Sequence, residues 1–333
     1  MSDRGHATNS IPRRKFLRLA AGAVALPAVS TGALAQPYPT RPVHLLVGFA
    51  AGGPLDTAAR LIAQSLSDRL GQSFIIENRP GASSNLAAET VVRARPDGYT
   101  LLISAGANSW NTALYDNLSF DFIRDIAPVA SFARVAGIME VNPSVPARTV
   151  PEFITYAKAN PGKINMASAG PGSAPGLWGE LFKAMANVDL TTVNYRGSAP
   201  ALPDLIAGRM QVMFDVVSSS IGHVRAGKLR ALGVTSTTRF QVLPDVPPIA
   251  DFVPGYEAIS WNGIGAPKNT PPEIIEILNK EVNASLADAT FTARLADLGL
   301  APFPSSTAEF AKFVPEYTDR WAKVIRGAGI KAE

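Results

Sequence analysis

Apolar runs alternate with amphipathic stretches through the first part of the chain. Residues 43–49 form an apolar run of strand length, and residues 55–70 carry apolar side chains at steps of three and four, on one face of a helix. Further strands are predicted at 74–77 and 99–104, with a helix at 85–95 between them. This βαβαβ order predicts a mostly parallel sheet with helices on both faces.

The later part of the chain repeats this pattern after a long extended run. Residues 126–141 are predicted to cross into a second α/β unit, and residues 259–266 to return to the first. Strands are predicted at 164–168 and 211–217 in the second unit, and an amphipathic helix covers 310–325 near the end. Two units joined by two crossings form a hinged clamshell that can close around a ligand.

The N-terminal segment has the features of an export signal. Arg13 and Arg14 form a twin-arginine pair, an apolar stretch at 19–29 follows, and Ala33-Leu34-Ala35 is a small-x-small cleavage site. We therefore expect a signal peptide over 1–35 and a periplasmic protein, with ordinary secretory export as the alternative. The apolar stretch is shorter than the roughly 20 residues that span a bilayer.

The basic excess of the chain comes from this segment. It holds five of the 31 basic residues and one of the 27 acidic ones, so the remaining chain has 26 of each. No basic stripe interleaved with aromatic residues is present, so a nucleic-acid partner is not supported. The chain has no cysteine, which excludes disulfides and a thiol nucleophile.

A turn of small residues joins the first predicted strand to its helix, and Asp56 is its one acid. Such a turn presents backbone N–H groups at the positive end of a helix, where they can hold a carboxylate without Arg or Lys. An ordinary strand-to-helix turn, in which Asp56 stabilises the helix start, explains the same residues. The loops at 78–84 and 104–108 follow neighbouring strands and should face the same crevice.

Short motifs occur in order along nearly the whole chain after the signal. They include Ala51-Gly52-Gly53-Pro54, Glu77-Asn78-Arg79-Pro80-Gly81-Ala82, Pro96-Asp97-Gly98-Tyr99-Thr100, Phe214-Asp215 and Leu243-Pro244-Asp245-Val246-Pro247. In these motifs the chain resembles the Bug-type periplasmic receptors of tripartite tricarboxylate transporters. The resemblance implies a type II periplasmic binding fold, an α/β fold of two doubly wound lobes joined by two crossing strands. Lobe 1 would comprise 36–138 and 259–333, and lobe 2 would comprise 139–258.

The resemblance and the three loops together give a set of expected ligand-binding residues, with Asp215 at the rim of the cleft. The set is Ala51, Gly52, Gly53, Asp56, Ser83, Asn108, Ser168, Gly170, Gly172, Ser173, Tyr195 and Asp215. Asp215, like Asp56, is also explained as a helix cap. Arg79 and Arg196 could pair with a distal carboxylate or brace loops. Gly176 stands where the family often has His, and Trp178 is bulkier than usual, so the resemblance implies no particular ligand.

The predicted function is capture of a small organic carboxylate for tripartite tricarboxylate-type transport, without catalysis, cofactor or metal. The expected partners are this ligand and the transporter's membrane subunits, and the receptor is expected to be a monomer. One alternative is a secreted α/β hydrolase with Ser83, Ser104 or Ser173 as nucleophile, which would need His44 or His223 as its base. Another is a receptor that serves signalling without a transporter.

Overall fold

The computed structural model describes residues 38–115, 117–240, 242–327 and 329–330, so the predicted signal peptide at 1–35 lies outside the described residues. The described part forms ten strands, which are β1 (Val43–Val47), β2 (Phe74–Asn78), β3 (Thr100–Ala105), β4 (Ile126–Val141), β5 (Asn165–Ser168), β6 (Thr191–Asn194), β7 (Val212–Val216), β8 (Arg230–Val234), β9 (Ile259–Pro267) and β10 (Leu300–Pro302).

The same ranges contain eleven α-helices and two short 3-10 turns, at Ala82–Ser84 and Ile249–Asp251. The helices are α1 (Pro54–Leu70), α2 (Asn85–Val92), α3 (Gly106–Leu114), α4 (Phe122–Asp125), α5 (Val150–Ala159), α6 (Ala174–Ala186), α7 (Ser198–Ile206), α8 (Val217–Arg225), α9 (Pro272–Leu286), α10 (Ala289–Asp297) and α11 (Thr307–Gly327). None of these helices is both long enough and apolar enough to cross a bilayer.

The first α/β unit has the predicted parallel arrangement around β1. Val47 of β1 is in register with Asn78 of β2 on one side and Ile103 of β3 on the other, and both pairings are parallel. Strand β9 then lies antiparallel beside β3, and β4 lies antiparallel beside β9. The unit is therefore doubly wound as expected, but its sheet is mixed because the returning strand β9 is inserted into it.

Strand β4 belongs to both halves of the fold, which confirms the predicted crossing. Its residues 126–136 pair with β9, and its residues 137–141 pair with β7. Strands β5 and β6 extend this second half, and β8 and β10 also pair with β4. The return crossing is confirmed as well, since Ala258 bonds to Thr235 in the second half just before β9 enters the first. The result is an α/β fold of two lobes joined by two crossing strands.

Helix α1 shows how local sequence fixes the boundaries near the site. Pro54 occupies its first turn, where a missing N–H costs nothing, and Gly71 ends it with a φ of +68°. The apolar face predicted from spacing is buried, with Leu55, Ile62 and Leu66 among its members. This packing fixes the start of the helix at the end of β1.

The longest helix, α11, covers the first lobe with the amphipathic face that was predicted. Trp110 of α3 stacks on Tyr317 at a centroid distance of 5.6 Å and packs against Trp321 at 5.3 Å. Helix α3 itself was missed, because 104–108 was assigned to a loop: the structure places the end of β3 and the first turn of α3 there. The short elements α4 and β10 were also not predicted.

Candidate functional site

Two backbone N–H groups of the turn between β1 and α1 donate hydrogen bonds within the turn and its helix. Gly52, at a φ of +78°, donates its N–H to Asp56 Oδ2 at 2.9 Å, and Gly53 donates to the Ala50 carbonyl at 3.2 Å. The N–H groups of Leu55 and Asp56 have no acceptor within the described ranges. Pro54 has no N–H, so these two are the donors that the helix start leaves free for an external acceptor.

Asp56 lies under this turn and is 1% exposed. Its Oδ1 accepts from Asn78 Nδ2 at 2.8 Å, and Arg60 donates to both carboxylate oxygens at 2.9 and 3.1 Å. Burial alone would raise the pKa of Asp56, but the hydrogen bonds from Arg60, Gly52 and Asn78 outweigh it and hold that pKa below its usual value. This geometry favours the helix-start interpretation, in which Asp56 shapes the turn.

The second loop of the first lobe has an unusual backbone. Ala82, Ser83 and Ser84 are three consecutive residues with positive φ, at 45°, 50° and 76°. Such conformations cost free energy for residues other than glycine, and they concentrate at ligand sites. Asn111 of α3 holds the loop, since its Nδ2 donates to the Ser83 carbonyl at 2.9 Å and to Asn85 Oδ1 at 2.6 Å.

Four buried polar atoms in the Ser83 loop and in the adjoining helices α2 and α3 lack a hydrogen-bond partner among the described residues. They are Ser84 Oγ, Asn85 Nδ2, Asn108 Nδ2 and Asn111 Oδ1. Asn108 is fixed by its other amide atom, because Oδ1 accepts from the Ala105 N–H at 2.9 Å. Buried polar atoms are nearly always paired, so a cluster of unpaired ones at the carboxyl ends of adjacent strands indicates a place for ordered water or a polar ligand.

The second lobe contributes the turn between β5 and α6. Ser173 caps α6 by accepting from the Gly176 N–H at 3.1 Å and donates to the Gly170 carbonyl at 2.7 Å. Ser168 Oγ accepts from the Gly170 N–H at 3.2 Å. A Cβ on Gly176 would lie 2.8 Å from the Gly170 carbonyl oxygen, so glycine at this position allows the turn to fold tightly over the helix start.

The two lobes touch through this turn. Gly172, with a φ of +73°, accepts a hydrogen bond at its carbonyl from Trp110 Nε1 at 3.0 Å. A side chain on Gly172 would also meet Leu114 of α3. The turn is therefore held against α3, next to the loops of the first lobe.

A cavity of about 200 Å³ lies between the first turn of α1 and the first turn of α8. Ser218 and Ser219 of α8 face it from the second lobe, and no lining residue is charged. The complete lining is Gly52, Pro54, Thr57, Ser218, Ser219, Leu298 and Leu300. Two helix N-termini therefore face one uncharged cavity, and each is a source of positive potential without a cationic side chain.

Two of the expected ligand residues have hydrogen-bond partners within the second lobe. The prediction that Asp215 lies at the rim is wrong, because the residue is 0% exposed and accepts from Ser198 Oγ at 2.5 Å and from the Val216 N–H at 2.8 Å. Tyr195 packs in a small apolar cluster of the second lobe, and its hydroxyl donates to Asp204 at 2.8 Å. The position of each residue at a predicted strand does not reveal which way its side chain turns, and ligand contact by either one stays a prediction.

The remaining candidates separate into structural and unassigned groups. Arg79 pairs with Glu77 at 3.2 Å, as a structural brace would, and His44 pairs with the same carboxylate. Arg196 is exposed, and Trp178 is fully buried. Neither His44 nor His223 bonds to a serine in the described part of the chain, so the hydrolase alternative has no base in place there. The described residues also contain no group of three metal-ligating side chains.

Sequence reasoning missed several residues that the structure brings to the site. Ser218 and Ser219 lie just after β7, in the position that the Gly52 turn has after β1. Because ligands of α/β folds bind at the carboxyl ends of strands, this position could have identified them. Trp110 and Asn111 belong to the unpredicted helix α3. Leu300 reaches the cavity only through tertiary packing, for which the sequence offers no local signal.

Comparison with known proteins identifies the family. A family model described as the tripartite tricarboxylate transporter family receptor matches residues 58–330. The chain belongs to this family. Among curated relatives of the receptor, a Pseudomonas sp. (strain P51) protein named for the tcbD-tcbE intergenic region is 36% identical over 95% of this chain and 94% of its own length. The protein BugT of Bordetella pertussis is 31% identical over 91% and 95%.

Solved structures agree on the fold of the receptor. An R. palustris protein solved with adipate has a TM-score of 0.83 at 40% identity, covering 89% of this chain and all of the other. The periplasmic binding protein BugD has a TM-score of 0.79 at 33% identity, with the same coverage. MatC from Rhodopseudomonas palustris, solved with bound malate, has a TM-score of 0.77 at 34% identity over 86% of this chain and 100% of its own. The Bug-type assignment and the two-lobe binding fold are therefore confirmed.

Proposed function

We propose that this receptor captures a small organic carboxylate between its lobes in the periplasm and delivers it to the membrane subunits of a tripartite tricarboxylate transporter. In this proposal the receptor is a monomer, does no chemistry, and is exported through its twin-arginine signal. Lobe 1 is formed by 36–138 and 259–333, and lobe 2 by 139–258.

The observation that carries the proposal is the pair of helix N-termini that face one cavity. An anion in this cavity would lie against the first turns of α1 and α8, with Gly52, Pro54 and Thr57 on one side and Ser218 and Ser219 on the other, while no lining side chain is charged. Backbone donors in a restricted cavity select carboxylates by geometry as well as by charge. Two family members are solved with dicarboxylates, adipate and malate, which is the ligand chemistry that such a cavity accommodates.

The expected site residues then divide by role. The turn of Ala51, Gly52 and Gly53 brings the backbone of the α1 start to the ligand, and Asp56 holds that turn in shape. The unpaired amide of Asn108 and the strained loop at Ser83 hold ordered water or a ligand oxygen. From the second lobe Ser218 and Ser219 line the cavity itself. The turn that contains Ser168, Gly170, Gly172 and Ser173 is not part of that lining, and we expect it to reach the ligand beside α3, which Gly172 contacts.

Titration calorimetry with a panel of small acids tests the proposal. The panel should contain mono-, di- and tricarboxylates, adipate and malate among them, with neutral sugars and amines of similar size as controls. We expect binding of at least one carboxylate with one-to-one stoichiometry, together with a rise in melting temperature. Binding of a sugar or an amine in preference to every carboxylate would overturn the assignment.

A further inference from the structure

Two carboxyl groups lie buried on neighbouring strands beneath the start of α8. Glu140 of β4 and Asp215 of β7 are both 0% exposed, on strands that pair antiparallel. Ser220 of α8 lies between them, with its Oγ 2.7 Å from Glu140 Oε1 and 3.1 Å from Asp215 Oδ2. The hydroxyl of one serine thus joins two acids that the ligand site does not expose.

Counting hydrogens shows that this arrangement needs a proton. Ser220 has one hydroxyl hydrogen, which it can donate to only one of the two carboxyl groups. If both acids were ionised, the other oxygen would face Ser220 Oγ with no hydrogen between them. A proton on one acid resolves this, because that acid donates to Ser220 and Ser220 donates to the other.

The surrounding bonds decide which acid holds the proton. Asp215 accepts from Ser198 Oγ at 2.5 Å and from the Val216 N–H at 2.8 Å, both of which stabilise its ionised form. Glu140 has Ser220 as its one hydrogen-bond partner among the described residues, and its Oε2 is buried without any. An ionised Glu140 would therefore be a poorly compensated buried charge, whereas the neutral acid is compatible with this pocket.

Electrostatics agrees with this order of protonation. Burial raises the pKa of Glu140 well above its usual value, and the charge of Asp215 adds to the effect. Burial also raises the pKa of Asp215, to about 6, against the hydrogen bonds from Ser198, Val216 and Ser220. At neutral pH Asp215 is therefore the ionised member of the pair.

The charged groups on the elements packed around this pair do not change that result. Strand β8 carries Arg230, whose guanidinium donates to the carbonyls of Val145 and Ala147, at 3.3 and 3.0 Å. Helix α8 carries His223 and Arg225 in its last turn, beyond Ser220. No cation pairs with Glu140 within the ranges that the structure describes.

We propose that Glu140 is a positioning residue that acts as a buried neutral acid and, through Ser220 and Asp215, fixes the first turns of α7 and α8. Ser198 begins α7 and bonds to Asp215, while Val216 caps α8 and bonds to the same carboxylate. Ser218 and Ser219, which line the cavity, lie between Val216 and Ser220. Glu140, Ser220 and Asp215 together therefore position the residues that the second lobe presents to the cavity. This role rests on the proposed receptor function.

Infrared spectroscopy of the ligand-free receptor tests the proton directly. At pH 7 the wild type should show the carbonyl stretch of a protonated carboxylic acid, and the Glu140→Gln variant should lack it. A spectrum unchanged by Glu140→Gln would overturn the proposal, because Glu140 would then be ionised in the folded protein.

Hydrogen exchange tests the positioning role and uses no ligand. Glu140→Gln keeps a neutral donor, so amide protection in 198–206 and 216–225 should remain near the wild-type level. Glu140→Leu and Ser220→Ala each break the chain of bonds, and exchange in these segments should become about tenfold faster, the result of a loss near 1.4 kcal/mol. Ser285→Ala, which removes a buried serine of α9 bonded to Ser65, is the matched control and should leave both segments unchanged.

A pH series separates this role from a general loss of stability. Since the pKa of Glu140 is raised in the folded state, its contribution is fully present at low pH and is lost as pH rises through that pKa. Above about pH 6, where Asp215 is already ionised, wild-type protection in the two segments should therefore fall as pH rises, and Glu140→Gln should remove this fall. Equal pH profiles for the two proteins, or loss of protection spread evenly over the chain in Ser220→Ala, would contradict the proposal. These experiments use no ligand, so a negative result would leave the proposed carboxylate binding standing. Conversely, a receptor that binds no carboxylate in the calorimetric titration could still contain a neutral Glu140.

Discussion

Trp110 donates its indole N–H to the carbonyl of Gly172 at 3.0 Å, which joins helix α3 of the first lobe to the β5–α6 turn of the second. The indole is itself fixed, because it is fully buried and stacks on Tyr317. The hydrogen bond from the fixed indole of Trp110 to the Gly172 carbonyl therefore holds the two lobes together at this point. Any movement that separates α3 from this turn would break the bond.

Trp110→Phe should shift the receptor towards an open form. The variant retains an aromatic ring against Tyr317 but loses the donor to Gly172, so about 1 kcal/mol of closure free energy is removed. Small-angle scattering of the ligand-free protein should show a larger radius of gyration. Trp261→Phe is the matched control, since its indole nitrogen is buried without a partner among the described residues. An unchanged radius in Trp110→Phe would show that the bond does not hold the lobes.

Asp56→Asn should loosen the turn at the start of α1 and lower the free energy of unfolding by about 2 kcal/mol. The reason is that the buried carboxylate, which accepts hydrogen bonds from Arg60, Gly52 and Asn78, is replaced by a neutral amide. The pKa of Asp56 is held below its usual value, so its contribution is present at neutral pH and is lost as pH falls through the folded-state pKa. Acid unfolding followed by circular dichroism should therefore begin at a higher pH in the variant.

The exposed end of the same helix provides the control for this change. Asp68→Asn removes a carboxylate that accepts one bond from Gln64, and it should leave the acid midpoint nearly unchanged. If the two variants shift the midpoint equally, Asp56 has no special role in the turn.

Arg13→Lys combined with Arg14→Lys should stop export, because the twin-arginine pathway requires the arginine pair while ordinary secretion accepts any basic residue there. Cell fractionation should find the precursor retained in the cytoplasm. Arg4→Lys, in the same segment but outside the pair, should be exported normally. A mature periplasmic product at wild-type level from the double variant would identify the ordinary secretory route.

Local patterns were sufficient to predict the framework of the fold. The apolar run of β1, the spacing along α1 and the glycine-rich turn between them are encoded within a few residues, and the long run of β4 reveals the crossing between lobes. Helix α3 was not predicted because its residues Asn108, Ser109 and Asn111 favour turns, whereas in the folded chain it packs against α11 through Trp110.

The parts of the site that depend on distant contacts could not be predicted. Trp110 and Gly172 are 62 positions apart, and nothing near either residue indicates the other. Asp215 lies near the end of a predicted strand, but its burial depends on Ser198, Ser220 and the neighbouring strand β4. The direction in which a strand-end side chain turns is decided by tertiary packing.

The central claim is that backbone donors at the start of α1 hold a small acid. Native mass spectrometry tests this claim most directly, on receptor that has been incubated with a mixture of mono-, di- and tricarboxylates. We expect the wild type to retain one acid molecule and Gly53→Leu to retain none, because the new side chain would cover those donors. Gly327→Leu, at a glycine with open space around it, should bind like the wild type. An acid retained equally by Gly53→Leu and the wild type, or no acid retained by the wild type, would contradict the account.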